Sequence, residues 1–282
     1  MKNKVDQKDI RVYQKENSCI FKKNNEAYGA LSNMATGFPL YINGVDIRTS
    51  EALYQACRFP HLPEIQQKII EQKSPMMVKM ISSTNKKKSR EDWYEVRLKI
   101  MKWCISIKLA QNFVSFGSIL HETGLKNIVE NSAKDNFWGA IPDEDGTIFT
   151  GINALGRLLM DLRQAFYSKD NFSLLFVEPP QIKNFLLYND PIGTIDERSN
   201  FVKWLLNYWG GPFKNYFKIP SHTVNFPLKD ETSIYVKKDS KMIIAEESQI
   251  YTSKKAPKQK QHIKKKKQDT ATQADLFLTE KK

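Results

Sequence analysis

Residues 89–112 most constrain how this chain can fold, because they form one long stretch of helical periodicity. Large apolar side chains recur there three or four positions apart; they are Trp93, Val96, Ile100, Trp103, Cys104 and Ile107. Ser89, followed three residues later by Asp92, resembles a capping box with aspartate in place of glutamate. The pattern predicts a long helix that begins at Ser89, and Trp93 is more typical of a core than of a binding site.

The other helical patterns are shorter, and strand signals are few. Helical spacing recurs in three further segments, 63–73, 116–124 and 153–166. The pair Asn43-Gly44, between two short apolar runs, predicts a β-hairpin. Beyond residue 170 the sequence is typical of short strands broken by prolines, then of a helix that ends at Gly210-Gly211. The chain is therefore predicted to adopt a mainly helical α+β fold with a small β element.

The positive charge is concentrated near one end of the chain. The net charge is +13, but residues 253–268 hold eight lysines and no acid, which leaves +5 for the rest. This segment is predicted to be disordered, and its lysines suggest a polyanionic partner. We predict a catalytic domain at 18–166, an accessory region of unknown role at 167–250 and a basic disordered tail at 251–282.

The cysteines, histidines and apolar runs indicate which classes of protein the sequence does not fit. Cys19, Cys57 and Cys104 are scattered, which favours a reducing compartment over a disulfide framework or a zinc site. The four histidines lack metal-ligand spacing, and no metal or redox cofactor is expected. The first residues contain no apolar signal-peptide core, and no apolar run is long enough to span a bilayer. We expect a soluble, cytoplasmic protein with no membrane partner.

Residues 49–60, TSEALYQACRFP, predict a short helix with a polar stripe. Thr49 is a suitable N-cap, and Pro60 is expected to stop the helix. Glu51, Gln55 and Arg58 then fall on one helical face. From this pattern alone, Glu51 and Arg58 are more typical of a surface ion pair than of a catalytic pair.

A second unusual stretch spans residues 132–163. Asp135, Trp138 and Gly139 precede a turn-rich loop, and Asn153 opens the helix that follows. A carboxylate close to a large flat ring and a flexible backbone would suit a site for a nucleoside or a sugar. The alternative is a capped turn with a core tryptophan, and the pattern by itself favours that alternative.

Five segments, in their order along the chain, resemble the NADAR family, also called YbiA-like. They are LSNM (31–34), TSEALYQACRF (49–59), SREDWYEVRLKIM (89–101), AKDNFWG (133–139) and GINALGRLLMDLR (151–163). The resemblance implies a mainly helical α+β fold that hydrolyses N-glycosidic bonds. Some members cleave early riboflavin-pathway intermediates that carry ribose phosphate. Others remove ADP-ribose from guanine in DNA and so counter DNA ADP-ribosyltransferase toxins of the DarT type.

The resemblance also implies a set of site residues. A carboxylate beside the sugar C1 would stabilise oxocarbenium-like charge and activate water, and this is the catalytic role expected of Glu51. Asp135, the second catalytic carboxylate, would hold ribose hydroxyls or move a proton. The tryptophans would enclose the base or the sugar. The substrate-binding residues implied are Asn33, Arg58, Trp93, Trp138, Gly139 and Asn153.

Arg58 departs from the family pattern. Many members carry lysine at this position, and a lysine amine could attack the sugar C1 and form an imine. Arginine stays protonated and cannot do so. We therefore expect Arg58 to hold phosphate or to orient Glu51 by a forked hydrogen bond.

The last eleven residues, TQADLFLTEKK, resemble the bacterial sliding-clamp-binding peptide Gln-Leu-x-Leu-Phe. The match rests on Gln273, Leu276 and Phe277, with alanine where leucine is usual. The alternative is a small apolar patch that docks back on its own domain. A clamp tether and lysines that attract phosphate would both serve an enzyme that acts on DNA.

The function that these features favour is removal of ADP-ribose from guanine in DNA, as an antitoxin or in repair, at a nucleoid-associated cytoplasmic location. Single-stranded DNA is the easier target because its bases are already exposed. One alternative is an N-glycosidase of riboflavin-pathway ribosylamino-pyrimidine phosphates. Another is a non-catalytic ADP-ribose reader, which has less need of the paired carboxylates Glu51 and Asp135.

Overall fold

The computed structural model describes residues 9–168 and 170–207. Three predictions lie outside these described residues: the helix end at Gly210-Gly211, the disorder of the basic tail, and the clamp-binding-like peptide with Gln273, Leu276 and Phe277.

Helices dominate the part of the chain that the structure describes. The seven α-helices found there are α1 (Ser50–Ala56), α2 (Pro63–Ile70), α3 (Pro75–Thr84), α4 (Trp93–Gln111), α5 (Phe113–Glu122), α6 (Ala154–Phe166) and α7 (Arg198–Asn207). The strands are β1 (Arg11–Gln14), β2 (Ser18–Phe21), β3 (Leu40–Ile42), β4 (Val45–Ile47), β5 (Asn127–Glu130), β6 (Ile141–Pro142), β7 (Ile148–Gly151), β8 (Phe176–Val177), β9 (Leu186–Leu187), β10 (Asp190–Pro191) and β11 (Ile195–Asp196). The predicted fold class, α+β and mainly helical, is confirmed.

The strands pair into several small sheets. β1, β7 and β6 form a three-stranded antiparallel sheet, while β2 and β5 pair in parallel, from Ser18 with Asn127 to Phe21 with Glu130. β3 and β4 form the predicted hairpin. Asn43 and Gly44 have φ angles of 50° and 80°, the left-handed conformations that a two-residue hairpin turn requires.

The long helix α4 lies at the centre of the core. It contacts α1, α5, α6 and β8, and its Ile100, Cys104 and Ile107 side chains are fully buried. The core also includes Phe172 and Phe201 from beyond the predicted catalytic domain. α4 begins at Trp93, so the predicted start at Ser89 is wrong.

The Ser89 hydroxyl is engaged in other hydrogen bonds at the entry to α4. It donates to the Lys86 carbonyl at 2.6 Å and accepts from Arg58 Nε at 2.6 Å. It is therefore committed to the preceding turn, and Asp92 occupies the N-cap position.

Helix α1 begins as predicted but ends early. The Thr49 hydroxyl accepts a hydrogen bond from the Ala52 N–H at 3.2 Å, which confirms the N-cap. The last helical residue is Ala56, because the N–H groups of Arg58 and Phe59 bond to carbonyls three residues back and tighten the chain into a turn. Arg58 therefore lies in the turn between the end of α1 and Pro60, not on the helix itself.

The structure also describes the cysteines, the groups that could hold a metal ion and the lengths of the helices. Cys19, Cys57 and Cys104 are buried thiols without a disulfide. Between residues 9 and 207, residue 169 excepted, no group of three or more His, Cys, Asp or Glu side chains is arranged to hold a metal ion. In the same part of the chain, every helix is too short or too polar to cross a lipid bilayer.

Candidate active site

A pocket of about 470 Å³ is lined by residues of α1, α3, α4, α6 and β5, of the turns after α1 and α3, and of the loops before β3 and after β5. Its volume is within the range of sites for small molecules, about 300–1,000 Å³. The predicted site residues that line it are Asn33, Glu51, Arg58, Trp93, Asp135 and Trp138. The polar stripe of α1 is therefore the wall of a pocket and not a solvated surface.

Glu51 is held by a chain of hydrogen bonds on one side of the pocket. Its carboxylate accepts from Gln55 Nε2 at 2.9 Å, and the side chain is only 4% exposed. The Ser82 hydroxyl of α3 donates to Gln55 Oε1, and Arg58 Nη1 donates to Ser82 Oγ at 3.3 Å. Arg58 thus reaches Glu51 through Ser82 and Gln55, in place of the forked hydrogen bond expected from the sequence.

Asn33 supports Glu51 from the other side. Its carbonyl accepts from the Glu51 N–H at 3.0 Å, and its side-chain oxygen accepts from the Ser50 hydroxyl at 3.1 Å. The loop that carries Asn33 is anchored by the buried Lys108, whose ammonium donates to the carbonyls of Ala30 and Ser32 at 2.7 and 3.0 Å. Burial lowers the pKa of Lys108 to about 7.

Aromatic rings also line the pocket. Tyr54 lies between Trp93 and Trp138, with ring centroids 5.0 and 5.6 Å away. Trp93 is 5% exposed, so it belongs to the core and lines the pocket at the same time. Burial, and then the nearby Glu51 carboxylate, raise the pKa of Tyr54, which favours its neutral phenol.

Two arginines lie against these rings. The Arg58 guanidinium is 5.1 Å from the centroid of the Trp93 ring, and that of Arg97 is 3.6 Å from the Phe137 ring. Arg97 Nε is buried without a hydrogen-bond partner. Burial lowers the pKa of both groups from the usual arginine value. Half-buried cations held by aromatic faces are suited to bind an anionic ligand.

Asp135 lies at the exposed edge of the pocket. Its Oδ1 atom accepts hydrogen bonds from the N–H groups of Phe137 and Trp138 at 2.9 and 3.0 Å. The carboxylate therefore caps the turn that positions Trp138, which was the structural alternative for this motif. Because Asp135 also lines the pocket, the two interpretations of the sequence are compatible.

Glu130 is a pocket carboxyl that the sequence analysis missed. It is the last residue of β5, half-buried, with its N–H donated to Asn153 Oδ1 at 3.1 Å and its carbonyl accepting from the Ala140 N–H at 2.8 Å. The pKa of the Glu130 carboxyl is raised to about 7, chiefly by burial; Lys79 lowers it, while the Glu51 and Asp135 carboxylates raise it. This carboxyl thus carries a proton much of the time near neutral pH.

Gly139 and Asn153, both predicted to bind substrate, do not line the pocket. A Cβ at Gly139 would lie 2.5 Å from the Glu130 carbonyl, so glycine lets the chain approach the end of β5 closely. Asn153 is fully buried, and its amide also donates to the Ile128 carbonyl at 2.8 Å. Their contacts are structural, and both hold the backbone of Glu130 in place.

Replacing Asn153 by alanine is expected to destabilise the protein by about 3 kcal/mol. The change leaves a buried N–H and a buried carbonyl of β5 unpaired, at about 1 kcal/mol or more each. Asn153 also has a φ of 52°, and alanine pays about 1 kcal/mol there. Urea unfolding measures the loss. Asn153→Gly is the control, because glycine also loses the hydrogen bonds but adopts a positive φ without cost. Equal stability of Asn153→Ala and wild type would contradict the structural role of Asn153.

Other pocket residues also went unrecognised in the sequence. Tyr54, Ser82 and Arg97 carry no motif of their own, and α3 was not predicted. The helical spacing of Tyr54 with Glu51 and of Arg97 with Trp93 was the available signal. Glu130 had a weaker one, since it directly follows a buried pair of β-branched residues.

Comparison with known proteins identifies the family of this chain. The family model described as the NADAR domain matches residues 20–167, just over half of the chain. The chain belongs to the NADAR domain family. This NADAR domain contains every residue assigned above to the pocket, from Asn33 to Trp138.

Two relatives of this NADAR chain have names that describe what they do. The N-glycosidase YbiA of Escherichia coli (strain K12) is 30% identical over 144 residues, 51% of this chain and 85% of YbiA. A riboflavin biosynthesis protein of Vibrio vulnificus (strain YJ016) is 29% identical over 187 residues, 64% of this chain. The chain spans only 48% of the length of that Vibrio protein. An NMR structure of E. coli YbiA, 28% identical, covers 52% of this chain and 83% of YbiA with a TM-score of 0.45.

Proposed function

We propose that this chain is a hydrolase that removes ADP-ribose from guanine bases in DNA, in an antitoxin or repair role. The observation that carries the proposal is the pairing of two carboxyl groups with different environments in one pocket. Glu51 is fixed as a hydrogen-bond acceptor by Gln55, whereas Glu130 has a pKa of about 7. Two carboxyl groups set apart in this way can serve as base and acid in one reaction.

The reaction breaks the bond between C1 of ribose and a nitrogen of the base. As that bond lengthens, its electron pair moves to the nitrogen and positive charge builds on the sugar. Glu130 gives its proton to the leaving nitrogen, and Glu51 stabilises the charge and takes a proton from the attacking water. Exchange with solvent returns a proton to Glu130 and removes one from Glu51, and no other co-reactant is required.

The remaining pocket residues hold the substrate in this scheme. Trp93 and Trp138 lie against the base or the sugar and exclude water. Arg58 and Arg97 bind the phosphates, because their guanidinium groups keep their charge and face the pocket. Asp135 accepts hydrogen bonds from ribose hydroxyls at the exposed edge. Arg58 cannot form the imine available to a lysine at this position, so in this scheme water and not residue 58 attacks C1.

DNA is the favoured substrate because of the basic tail and the peptide that ends it. Lysines of residues 253–268 would attract nucleic acid phosphates at low salt. The peptide with Gln273, Leu276 and Phe277 would tether the enzyme to the bacterial sliding clamp and raise its concentration near replicating DNA. Both features would bring the chain to the nucleoid, where single-stranded DNA is the most accessible target.

Hydrolysis of riboflavin-pathway ribosylamino-pyrimidine phosphates is the second candidate function. It is favoured by the Vibrio relative, whose name assigns it to riboflavin biosynthesis. The same carboxyl groups and arginines would serve, because this substrate also carries an N-glycosidic bond and a ribose phosphate. Neither the lysine-rich tail nor the terminal peptide has an evident use in this function.

Incubation with a single-stranded oligonucleotide carrying ADP-ribosyl-guanine tests the proposal. Wild-type chain is expected to return the unmodified oligonucleotide, detected by gel mobility and by mass. Cleavage of ribosylamino-pyrimidine phosphates alone would establish the second candidate in its place. Tight binding of ADP-ribose without turnover of either substrate would mark the protein as a reader and contradict both hydrolase functions.

A further inference from the structure

A basic surface adjoins the mouth of the pocket. Residues 72–90, which include α3, contain five lysines and no aspartate or glutamate. Lys79 and Lys86 line the pocket, and Lys87 and Lys88 follow directly and are exposed. Positive charge therefore continues from inside the pocket onto the protein surface.

Apolar side chains lie beside this charge. Met76 and Met80 are 68% and 51% exposed, one helical turn apart on α3. On a helix, the row of 76 and 80 adjoins the row of 79 and 83, and both Lys79 and Ser83 line the pocket. We name Met76, Lys79, Met80, Lys86, Lys87 and Lys88 the α3 surface.

Such a combination matches the chemistry of a nucleic acid single strand. Lysines neutralise the phosphates of the strand, and flat or flexible apolar side chains contact the faces of its bases. Methionine is polarisable and adapts its shape, so it accepts different bases equally well. Binding of this kind is independent of sequence, as removal of a lesion from any site in DNA requires.

We propose that the α3 surface binds the single-stranded DNA next to the modified nucleotide, an inference that rests on the proposed function. Lys79 and Lys86 contact the phosphates nearest the pocket, Lys87 and Lys88 contact those farther along, and Met76 and Met80 contact the neighbouring bases. A small phosphorylated metabolite would fill the pocket without reaching Lys87 and Lys88. Contacts with Lys87 and Lys88 are therefore expected for a DNA substrate and not for a metabolite.

A pair of charge-removing substitutions tests this surface. Lys87→Gln with Lys88→Gln removes two charges outside the pocket, in the full chain with its lysine tail intact. The matched control is Lys99→Gln with Lys102→Gln, which removes two exposed charges from the face of α4 that does not line the pocket. Binding of a fluorescein-labelled, unmodified 12-nucleotide single strand is measured by anisotropy at several salt concentrations.

The Lys87/Lys88 variant is expected to bind about tenfold more weakly than wild type, and the slope of log Kd against log salt should fall by about 1.4. The Lys99/Lys102 control should keep the wild-type affinity and slope. Wild-type affinity in the first variant, or an equal loss in both, would overturn the proposal. This assay measures binding and needs no turnover, so its result does not depend on whether the proposed function is correct. The proposed function is contradicted only if the wild-type chain does not release ADP-ribose.

Discussion

Glu51→Gln is expected to lower the rate of N-glycosidic hydrolysis by about 1,000-fold or more, since it removes the charge that stabilises the developing oxocarbenium ion and activates water. Glutamine has nearly the same shape, and its amide oxygen can still accept the hydrogen bond from Gln55 Nε2. The fold and the affinity for ADP-ribose should therefore be little changed. Single-turnover rates with the modified oligonucleotide, together with thermal unfolding, measure the two effects separately.

Glu95→Gln is the matched control for this substitution. Glu95 lies on α4, two residues from Trp93, but its side chain is exposed and does not line the pocket. It should leave the rate within a factor of two of wild type. Retention of wild-type activity by Glu51→Gln would refute the catalytic assignment, even if the protein proves to be an N-glycosidase.

Glu130→Gln is expected to lower the same rate by about 100- to 10,000-fold, the usual range for loss of a general acid. The wild-type rate should fall as the pH rises above about 7, because the acid form of Glu130 is then lost. The variant should lack this alkaline decline, since it has no proton to lose at that position. A pH profile of kcat for both proteins checks the assignment, because a purely structural role would leave its shape unchanged.

The same substitution should stabilise the folded protein at alkaline pH. The pKa of Glu130 is raised from 4.5 to about 7, so the folded state binds more protons than the unfolded state between these values. Wild-type stability is therefore lost as the pH rises through this window, by at most about 3 kcal/mol. Glu130→Gln avoids that loss, and urea unfolding should show it to be more stable at pH 8, with the difference shrinking toward pH 5.

Asp135→Asn separates the roles of the two carboxyl groups. The amide oxygen can still accept the N–H groups of Phe137 and Trp138, so the turn should survive. If Glu130 is the acid, this variant should keep the alkaline decline in rate that Glu130→Gln loses. If Asp135→Asn lost the alkaline decline in rate and Glu130→Gln kept it, the role of general acid would belong to Asp135 and not to Glu130.

Local patterns in the sequence predict the parts of this fold that depend on neighbours in the chain. The α4 periodicity, the Thr49 cap and the Asn43-Gly44 turn all rest on contacts within a few residues, and each appears in the structure. The start of α4 does not follow from its pattern, because Ser89 bonds to Arg58, which is 31 residues away. Long-range partners of this kind leave no periodic signal.

The sequence predicted only those pocket residues that lie in segments resembling the family. Glu51, Trp93 and Trp138 belong to segments that resemble the family, and they meet in the pocket as a group. Glu130 has no distinctive neighbours in the sequence; its importance comes from burial and from nearby carboxylates, which only the fold creates. Gly139 and Asn153 belong to the same motifs as pocket residues, yet their contacts are with the backbone of β5.

The parallel pairing of β2 with β5 has a consequence for how the protein is made. It joins residues 18–21 to residues 127–130, and closing a loop of that length costs about 4 kcal/mol of chain entropy. On the ribosome, Glu130 gains its place only after Asn153 has emerged to clamp β5. A chain truncated before Asn153 would therefore leave the end of β5 without this clamp, and we expect it to be inactive; the pocket can be completed only after more than half of the chain has been made.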